Sequence, residues 1–448
     1  MTTLSSVEIT TRRRSAKTLG YLLATAVVLL SLLFFYWQTI GRGAGRLFDF
    51  NIAYCASGVW LQGGNPFSRG DVLRHWEVIG GAHDLGSIAH LWVVHAPATF
   101  AVISPFTLLS PGHANTAWLI FSLVAMAALL ATACKAAGLK LGSAASLWVV
   151  AFALVCTPVQ LAVYHGQPAL PSIACCMAAY LASLSGRQRT TGVLLAIAMC
   201  IKPHIALPVL LFIAMRRQWI GVLYTIVLFG LVSAFAGVWM ADHGHIAWFA
   251  NWQSNLFAAT HNGDTNDYTF GNGIRFDLVQ LHVPWFGILR SRAATELAVI
   301  ATTLALGASY LWLRHRMKEQ DDLLDFSALS LLCLLPFYHR WPDAAVIVPA
   351  IAWTVGKTAR SKAPVVPLLA LGVFVVPIAV FGSGAMKLVL MLPTAEMAER
   401  VFRILIEPFQ TWSVVILLVA LLAAMHNAGQ GECSQDAAQA PTGLGPRP

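Results

Sequence analysis

An acidic residue, Asp49, follows closely on the first long apolar segment of the chain. A carboxylate at the edge of a membrane can accept the proton of a hydroxyl group on a lipid-linked substrate, so Asp49 is a candidate general base. The alternative is structural: the carboxylate caps the helix that begins near Phe50, or it pairs with Arg46. After Asp49, a run that contains Tyr54 is predicted to lie along the membrane interface as an amphipathic helix.

A second polar cluster, His339, Arg340 and Asp343, occupies the short connector PFYHRWPDAAV between two apolar runs. Histidine and arginine side chains are donors that can bind a phosphate, so this connector is a candidate phosphate or sugar site. The alternative is that these side chains only reach from helix ends into the membrane interface. The connector is predicted to lie on the same external face as Asp49.

Lys202 lies in the middle of the apolar run 191–215 and is followed directly by a helix-breaking proline. A lysine at the centre of a bilayer costs about 3 kcal/mol, so its ammonium group is expected to face a cavity or an anionic partner. That partner is either a substrate phosphate or an internal carboxylate. In the alternative, the run folds back as a hairpin and Lys202 is a loop residue. Gln167, which follows a glycine, and Arg275 are weaker candidates for binding a substrate.

The sequence predicts no metal site. The eight cysteines show neither CxxC spacing nor a Cys/His ligand pattern, which indicates small buried apolar residues rather than metal ligands. His243, His245 and His261 could be drawn as a metal site, but histidines in a polar loop are more often ordinary loop residues.

The composition is that of a membrane protein. Of 448 residues, 57% are hydrophobic and 11% are charged, and the mean hydropathy is +0.68. A soluble domain carries about 25% charged residues, so most of this chain has no surface that faces water. The net charge of +9 comes from Lys and Arg at the ends of apolar runs, where they orient helices, and it does not indicate a nucleic-acid partner. An all-α polytopic membrane protein is predicted.

We predict three parts in chain order: a cytoplasmic N-terminus (1–18), a transmembrane domain (19–426) and a disordered cytoplasmic tail (427–448). The predicted external loops are 41–90, which carries interfacial helices, 241–292 and 382–409. About twelve apolar runs are predicted to cross the membrane: 19–40, 91–110, 114–133, 142–158, 169–185, 191–215, 219–240, 293–313, 323–337, 344–356, 365–381 and 410–425.

Twelve crossings conflict with the charge distribution of the first half. They place four basic residues outside, against the positive-inside bias: Lys135, Lys140, Arg187 and Arg189. The alternative makes 91–110 a re-entrant segment and turns 191–215 into a hairpin at Lys202, with arms too short to span a bilayer alone. Both topologies agree from residue 216 onward.

Several short motifs, taken in order, resemble those of glycosyltransferase family 87, the polyprenol-phosphate-mannose-dependent mannosyltransferases of the GT-C class. The motifs are Asp49 after the first span, Tyr54, Gly64-Asn65-Pro66-Phe67, His95-Ala96-Pro97, Gly166-Gln167, Lys202-Pro203 and Arg216-Arg217-Gln218-Trp219. The resemblance covers most of residues 45–350. It departs in two places, since the family often has Tyr-Pro-Pro in place of His95-Ala96-Pro97 and often has an asparagine after Gln167.

The resemblance implies a GT-C-type helical bundle and an inverting, metal-independent sugar transfer, most simply of mannose, at the outer face of the inner membrane in cell-envelope biogenesis. It implies Asp49 as the catalytic base and His339 as the later external histidine of the family. Cationic or donor residues would stabilise the leaving phosphate, with substrate contacts from Lys202, Arg275, Arg340, Gln167 and Tyr54. The expected partners are a polyprenyl-phosphate sugar, a glycolipid or glycan acceptor and membrane lipids, without a cofactor.

A transporter or lipid flippase for envelope glycolipid precursors is the rival class, because it also needs a buried lysine and an external acid. Transporter folds often contain internal repeats and paired broken helices, and the sequence shows no repeat. A long acid-bearing first loop is asymmetric, which favours the enzyme.

Overall fold

The computed structural model describes residues 6–41, 47–80, 92–261, 292–317, 321–336, 339–360 and 409–430. Within these ranges the chain forms α-helices, two 3₁₀ helices and turns, with no β-strand, so the predicted all-α class is confirmed. Arg275, most of the loops predicted at 241–292 and 382–409, and the tail from residue 431 lie outside the described residues.

The helices are numbered in chain order: α1 (Ser6–Thr39), α2 (Phe48–Leu61), α3 (Arg69–Val78), α4 (Pro97–Ile103), α5 (Pro111–Ala136), α6 (Ala144–Val155), α7 (Thr157–Tyr164), α8 (Ala169–Leu184), α9 (Gln188–Ile201), α10 (Pro203–Met215), α11 (Trp219–Asp242), α12 (Trp248–His261), α13 (Arg292–Arg316), α14 (Asp322–Leu334), α15 (Val348–Arg360) and α16 (Phe409–Gln430). The 3₁₀ helices are Ser104–Leu108 and Trp341–Ile347.

The predicted count of twelve membrane spans is not supported. Of the described helices, five are long and apolar enough to cross a bilayer, and the count rises to six if the bent pair α6 and α7, which meet at 60°, forms one span. The five are Lys17–Thr39, Pro111–Ala136, Trp219–Asp242, Glu296–Arg316 and Thr411–Ala428. The protein is therefore a polytopic helical membrane protein in which long spans are mixed with shorter apolar helices.

The run 191–215 is a hairpin, so its prediction as a single crossing is wrong. Lys202 has extended backbone (φ −154°, ψ 91°) between α9 and α10, because Pro203 cannot continue the ladder of helical hydrogen bonds. The start of α9 and the end of α10 lie close together, as expected for the two arms of a hairpin. Gln218, just after α10, donates to the Ser183 carbonyl at 3.0 Å, and Thr225 lies 3.3 Å from the carbonyl of Gly192 near the start of α9. The hairpin tip is at Lys202.

The run 91–110 is also not a span. It contains α4 and the 3₁₀ helix Ser104–Leu108, which together have 12 residues and reach about 18 Å, too little for a bilayer core of about 30 Å. This re-entrant segment contacts the hairpin, since Thr99 Oγ1 donates to the Cys200 carbonyl at 2.9 Å. The bond gives a partner to a carbonyl in the interrupted turn.

The hairpin and the re-entrant segment together correct the placement of the basic residues. The loop at Arg187 lies beside Gln218, and the Arg360 guanidinium packs against Gly138, next to Lys135. These basic loops therefore share one end of the molecule with Arg216, which forms an ion pair with Asp322 at the start of α14. The conflict with the positive-inside bias disappears in this topology.

Helix α2 is buried inside the protein, which corrects its prediction as an interfacial amphipathic helix. All residues from Asp49 to Trp60 are buried, and a helix that is apolar on every side belongs in a core. Phe50 stacks on Trp118 of α5 with ring centroids 4.6 Å apart. Trp60 Nε1 donates to the Ala236 carbonyl of α11 at 3.2 Å. These contacts hold Asp49 at a fixed position beneath the surface.

Candidate active site

Asp49 lies in the first turn of α2 and contacts two residues that are distant in sequence. Its Oδ2 accepts a hydrogen bond from Gln167 Nε2 at 2.6 Å, and its Oδ1 lies 3.3 Å from Arg340 Nη1. The N-cap position of α2 is Leu47, and Asp49 makes no capping hydrogen bond there. The carboxylate is therefore oriented by tertiary contacts, and the capping role considered from the sequence does not apply.

Gln167 is positioned by the glycine that precedes it. Gly166 has a positive φ of 66°, and a Cβ at that position would lie 2.9 Å from the Cβ of Phe50, so only glycine allows this turn to approach α2. The Gly166 carbonyl accepts a hydrogen bond from Trp118 Nε1 at 2.8 Å, which fixes the turn from a third element. The Gly-Gln motif thus brings an amide group to Asp49.

The amide of Gln167 links Asp49 to Lys202. Lys202 Nζ donates to Gln167 Oε1 at 2.8 Å, while Gln167 Nε2 donates to Asp49. An ammonium group only donates and a carboxylate only accepts, so the chemistry of the two neighbours fixes which end of the amide is oxygen. Lys202 Nζ also forms an ion pair with Asp343 Oδ1. The internal carboxylate, one of the two partners expected for Lys202, is therefore Asp343.

Asp343 is buried and surrounded by donors. Its Oδ2 lies 3.3 Å from His204 Nε2 and 3.4 Å from His339 Nδ1. The backbone N–H of Arg340 donates to the same oxygen at 3.3 Å. Burial alone would raise the pKa of Asp343, but Lys202 and the two histidines outweigh it and hold that pKa well below its ordinary value. Asp343 is therefore a carboxylate in the folded protein.

These residues face a cavity of about 440 Å³. Its polar wall includes Asp49, His95, Thr99, Gln167, Lys202, His204, Arg340 and Asp343. Its apolar wall includes Ile52, Trp92, Phe229, Trp252 and Leu256. A pocket with one apolar side and a few convergent polar groups has the form of a small-molecule or lipid-headgroup site.

The two histidines near Asp343 differ in their access to this cavity. His204 lines the cavity, whereas His339 is 1% exposed, lies behind Asp343 and is not part of the lining. The sequence singled out His339 and missed His204. His204 is the second residue of α10, directly after Pro203, and nothing in its sequence neighbourhood distinguishes it from an ordinary residue of an apolar helix.

His95 is a second cavity residue without an assigned role from the sequence. Burial, and then the positive charge of Lys202, lower the pKa of His95 from 6.5 to about 4, so its ring is neutral at physiological pH. Nδ1 is buried, and no described residue is its hydrogen-bond partner. The family resemblance involves His95 only as a departure from Tyr-Pro-Pro.

Of the predicted substrate-binding residues, Tyr54 is described by the structure and lies away from the cavity. The Tyr54 hydroxyl donates to the Leu109 carbonyl at 2.8 Å, where it anchors the end of the re-entrant segment, and Tyr54 is not part of the cavity lining. Arg275 lies outside the described residues. Arg340, Gln167 and Lys202 do line the cavity.

One group among the described residues has ligand atoms close enough together to hold a metal ion. The atoms of His204, His339 and Asp343 lie within 4.8 Å of one another. Lys202 already places a positive charge on Asp343, which opposes the binding of a divalent cation at the same carboxylate. The absence of a metal requirement stays a prediction.

The comparisons with known proteins give one match. The model of glycosyltransferase family 87 matches residues 92–338, more than half of the 448-residue chain. The matched range contains His95, Gln167, Lys202 and His204. No curated protein and no solved structure matches the chain significantly.

Proposed function

The chain belongs to glycosyltransferase family 87, and on that premise we propose that it transfers a hexose, with mannose as the expected sugar, from a polyprenyl-phosphate donor. The acceptor would be a hydroxyl group of a glycolipid or glycan. The proposal is a hexosyltransferase without a cofactor, working at the outer face of the inner membrane.

One observation supports this proposal above the others: a carboxylate and a set of cationic donors share a single cavity. Asp49 lies on its polar wall together with the cations Lys202 and Arg340. Sugar transfer from a lipid phosphate needs a base for the acceptor hydroxyl and a positive environment for the departing phosphate. The cavity provides both within one space.

In the proposed reaction, Asp49 accepts the proton of the acceptor hydroxyl. The hydroxyl oxygen forms a bond to C1 of the donor sugar as the bond between C1 and the phosphate oxygen breaks. The bonding electrons leave with the polyprenyl phosphate, and the configuration at C1 inverts. Gln167 and Arg340 each occupy one carboxylate oxygen of Asp49. Each oxygen keeps a lone pair that can accept the proton.

The leaving phosphate would be held by Lys202 and Arg340. An ammonium group has three N–H donors, and Lys202 spends two of them on Gln167 and Asp343, which leaves one for a phosphate oxygen. Asp49 and Asp343 balance Lys202 and Arg340 in formal charge, so these four cavity residues together carry no net charge. His339 would act through Asp343 as a positioning residue.

The prenyl chain would stay in the lipid beside the apolar wall. Phe229 belongs to the spanning helix α11 and lines the cavity, so a chain leaving between helices there would meet hydrocarbon. Helix α10 has 13 residues, which places the cavity about 20 Å from the basic end of the molecule. Because basic ends face the cytoplasm, the cavity is expected to open toward the exterior.

A transfer assay on the purified protein tests the proposal. Radiolabelled polyprenyl-phosphate mannose and a lipid extract from the native membrane are mixed with the protein in detergent, and the label is followed into acceptor lipids or glycans. Transfer by the wild type, absent in Asp49→Asn, is expected. A parallel assay in proteoliposomes follows movement of the donor across the bilayer. Translocation without transfer would replace the enzyme by a flippase.

A further inference from the structure

The backbone that carries His95 is held rigidly against the cavity. Residues 92–96 are non-helical, and α12 binds two of their carbonyls. Asn255 Nδ2 donates to the Val93 carbonyl at 3.1 Å, and Trp252 Nε1 donates to the Val94 carbonyl at 3.3 Å. His95 is thus fixed through its main chain, while its ring forms no hydrogen bond to any described residue. The imidazole is half-buried, and a ring without a hydrogen-bond partner in such a place is costly unless a ligand completes it.

The two ring nitrogens of His95 have different surroundings. Nδ1 is buried without a partner, whereas Nε2 is not among the buried unpartnered atoms and faces the cavity that the residue lines. An orphaned buried N–H is rarer in proteins than an acceptor without a partner, so the proton belongs on Nε2. In this tautomer, His95 presents one N–H donor, from a neutral ring, to the cavity.

The other polar groups of the cavity indicate which part of a substrate the Nε2–H donor of His95 would contact. Lys202, Asp49, Arg340 and His204 all lie within electrostatic range of His95. The cations Lys202 and Arg340 suit the phosphate, and the Asp49 carboxylate suits the acceptor hydroxyl. A sugar ring at the point of transfer lies between these two, because the nucleophile and the phosphate are on opposite faces of C1. A neutral donor in that place matches a ring hydroxyl better than an anion.

We propose that His95 Nε2 donates a hydrogen bond to a ring hydroxyl of the donor sugar, and that this contact helps to determine which sugar the cavity accepts. The assignment rests on the proposed function, since it takes the donor to be a sugar on a lipid phosphate. A site that forms a hydrogen bond to one hydroxyl discriminates against a sugar in which that hydroxyl has another orientation. The protein donor is left unpaired when such a sugar binds.

Binding measurements on three lipids test this assignment. Short-chain polyprenyl-phosphate mannose, polyprenyl-phosphate glucose and the same polyprenyl phosphate without sugar are titrated into the purified protein, and dissociation constants are taken from ligand-induced thermal stabilisation. The variants are His95→Phe, which keeps a ring without nitrogens, and His95→Gln, whose amide N–H can approach the Nε2 position. His113→Phe is the control, since His113 is an exposed histidine that pairs with Ser110 and is not part of the cavity lining.

His95→Phe should weaken binding of the preferred sugar lipid about tenfold, the loss expected for one neutral hydrogen bond, and leave the bare phosphate lipid unchanged. The preference between mannose and glucose should narrow in the same variant. His95→Gln should retain part of the preference, and His113→Phe all of it. Melting temperatures without ligand identify any variant that is misfolded.

Three outcomes would overturn the assignment. His95→Phe could bind the preferred sugar lipid as tightly as the wild type, or it could lose the sugar lipid and the bare lipid equally. The wild type could also bind all three lipids equally, which would show that no donor sugar is recognised. A wild type that binds none of the lipids would instead remove the proposed function, and this assignment with it.

Discussion

Among the described residues, two clusters of charged side chains join helices, one at each end of α10 and α14. The cavity cluster comprises Asp49, Gln167, Lys202, His204, Arg340 and Asp343. The basal cluster comprises Arg216, Tyr310, Arg314, Asp321, Asp322, Asp325, Trp353 and Lys357. Both join helices that are far apart in sequence, and both contain acids and cations in similar numbers. They differ in how the partners are arranged.

Each acid of the basal cluster has its own cation. Arg314 Nε donates to Asp325 Oδ2 at 2.8 Å, and the Tyr310 hydroxyl donates to Oδ1 of the same carboxylate at 2.5 Å. Lys357 Nζ lies 2.9 Å from Asp321 Oδ2, and Arg216 pairs with Asp322. None of these residues lines the 440 Å³ cavity. The arrangement satisfies the charges and ties loops together at the basic end.

In the cavity cluster, single side chains bond to two neighbours each, and some N–H donors have no partner among the described residues. Gln167 serves Asp49 and Lys202 at once, and Lys202 serves Gln167 and Asp343. One N–H of Lys202 and the ring of His95 have no partner among the described residues. Unused donors beside an open space cost stability unless a ligand binds them, whereas a cluster of closed pairs needs none. On this difference we propose that the cavity cluster binds a ligand, whereas the basal cluster stabilises the fold.

The largest expected effect comes from removing one acid in each cluster. Asp49→Asn keeps the shape of the side chain and removes the base, so turnover of polyprenyl-phosphate sugar should fall by about 10²–10⁴-fold with little change in melting temperature. Asp322→Asn, the matched change in the basal cluster, should keep near-normal turnover per folded molecule. Near-normal turnover by Asp49→Asn in the transfer assay would remove the distinction between the clusters.

Removing one cation from each cluster gives the next effect. Lys202→Met leaves Asp343 buried without its main cation, so the free energy of unfolding should fall by about 3–5 kcal/mol. Adding Asp343→Asn should recover part of that loss. Arg314→Met should also destabilise the protein, by exposing Asp325 to the same kind of penalty.

The donor lipid distinguishes the two cations. Thermal unfolding with and without polyprenyl-phosphate mannose should show that Arg314→Met keeps the full donor-induced stabilisation and that Lys202→Met loses most of it. If Lys202→Met is destabilised but binds donor normally, its role is confined to the ion pair with Asp343. If it is neither destabilised nor impaired, the ion pair itself contributes nothing measurable.

The sequence was informative where a polar residue interrupts an apolar run. Asp49, Lys202 and the His339–Asp343 connector are conspicuous in the sequence because charges in such surroundings are costly, and the structure brings Asp49, Lys202 and Asp343 into one network. Their mutual contacts could not be read from the sequence, because Gln167 reaches both Asp49 and Lys202 only after the turn at Gly166 has formed. His204 was missed, since a histidine at the start of an apolar helix has no distinguishing pattern of its own.

The prediction that 191–215 crosses the membrane once is wrong for a related reason. Hydropathy measures the length of an apolar run, so it cannot distinguish one span from a hairpin with two short apolar arms such as α9 and α10. The charge bias of Lys135 and Arg187 pointed to the correct arrangement, and the re-entrant alternative that used it agrees with the described residues. The distribution of basic residues in the loops therefore predicts the topology better than the length of the apolar runs.

Acid should destabilise the protein through His95 and also through His204, since burial lowers the pKa of both histidines. The pKa of His95 falls from 6.5 in the unfolded chain to about 4 in the folded protein. Between these values the unfolded state binds a proton that the folded state does not, so stability decreases as pH falls from 6.5 to 4, by up to about 1.4 kcal/mol per pH unit. Unfolding of wild type and His95→Phe across this range should show a shallower slope in the variant. Equal slopes would contradict a buried neutral ring.

The smallest expected effect is that of a chelator, and it tests whether the cavity cluster, like the basal cluster, uses only side-chain charges. His204, His339 and Asp343 have atoms close enough for a metal, but Lys202 Nζ is bound to the carboxylate that the metal would share. A second positive charge beside that ammonium group would be strongly repelled in a buried site. Turnover should therefore stay within about twofold of its starting value after dialysis against EDTA, a range far below the loss expected for a missing base.

Metal content measured by mass spectrometry on the same samples shows whether any ion was removed. Activity lost with a stoichiometric metal and restored by Zn²⁺, Mn²⁺ or Mg²⁺ would mean that the two histidines and Asp343 hold a cation and that Lys202 must move aside to admit it.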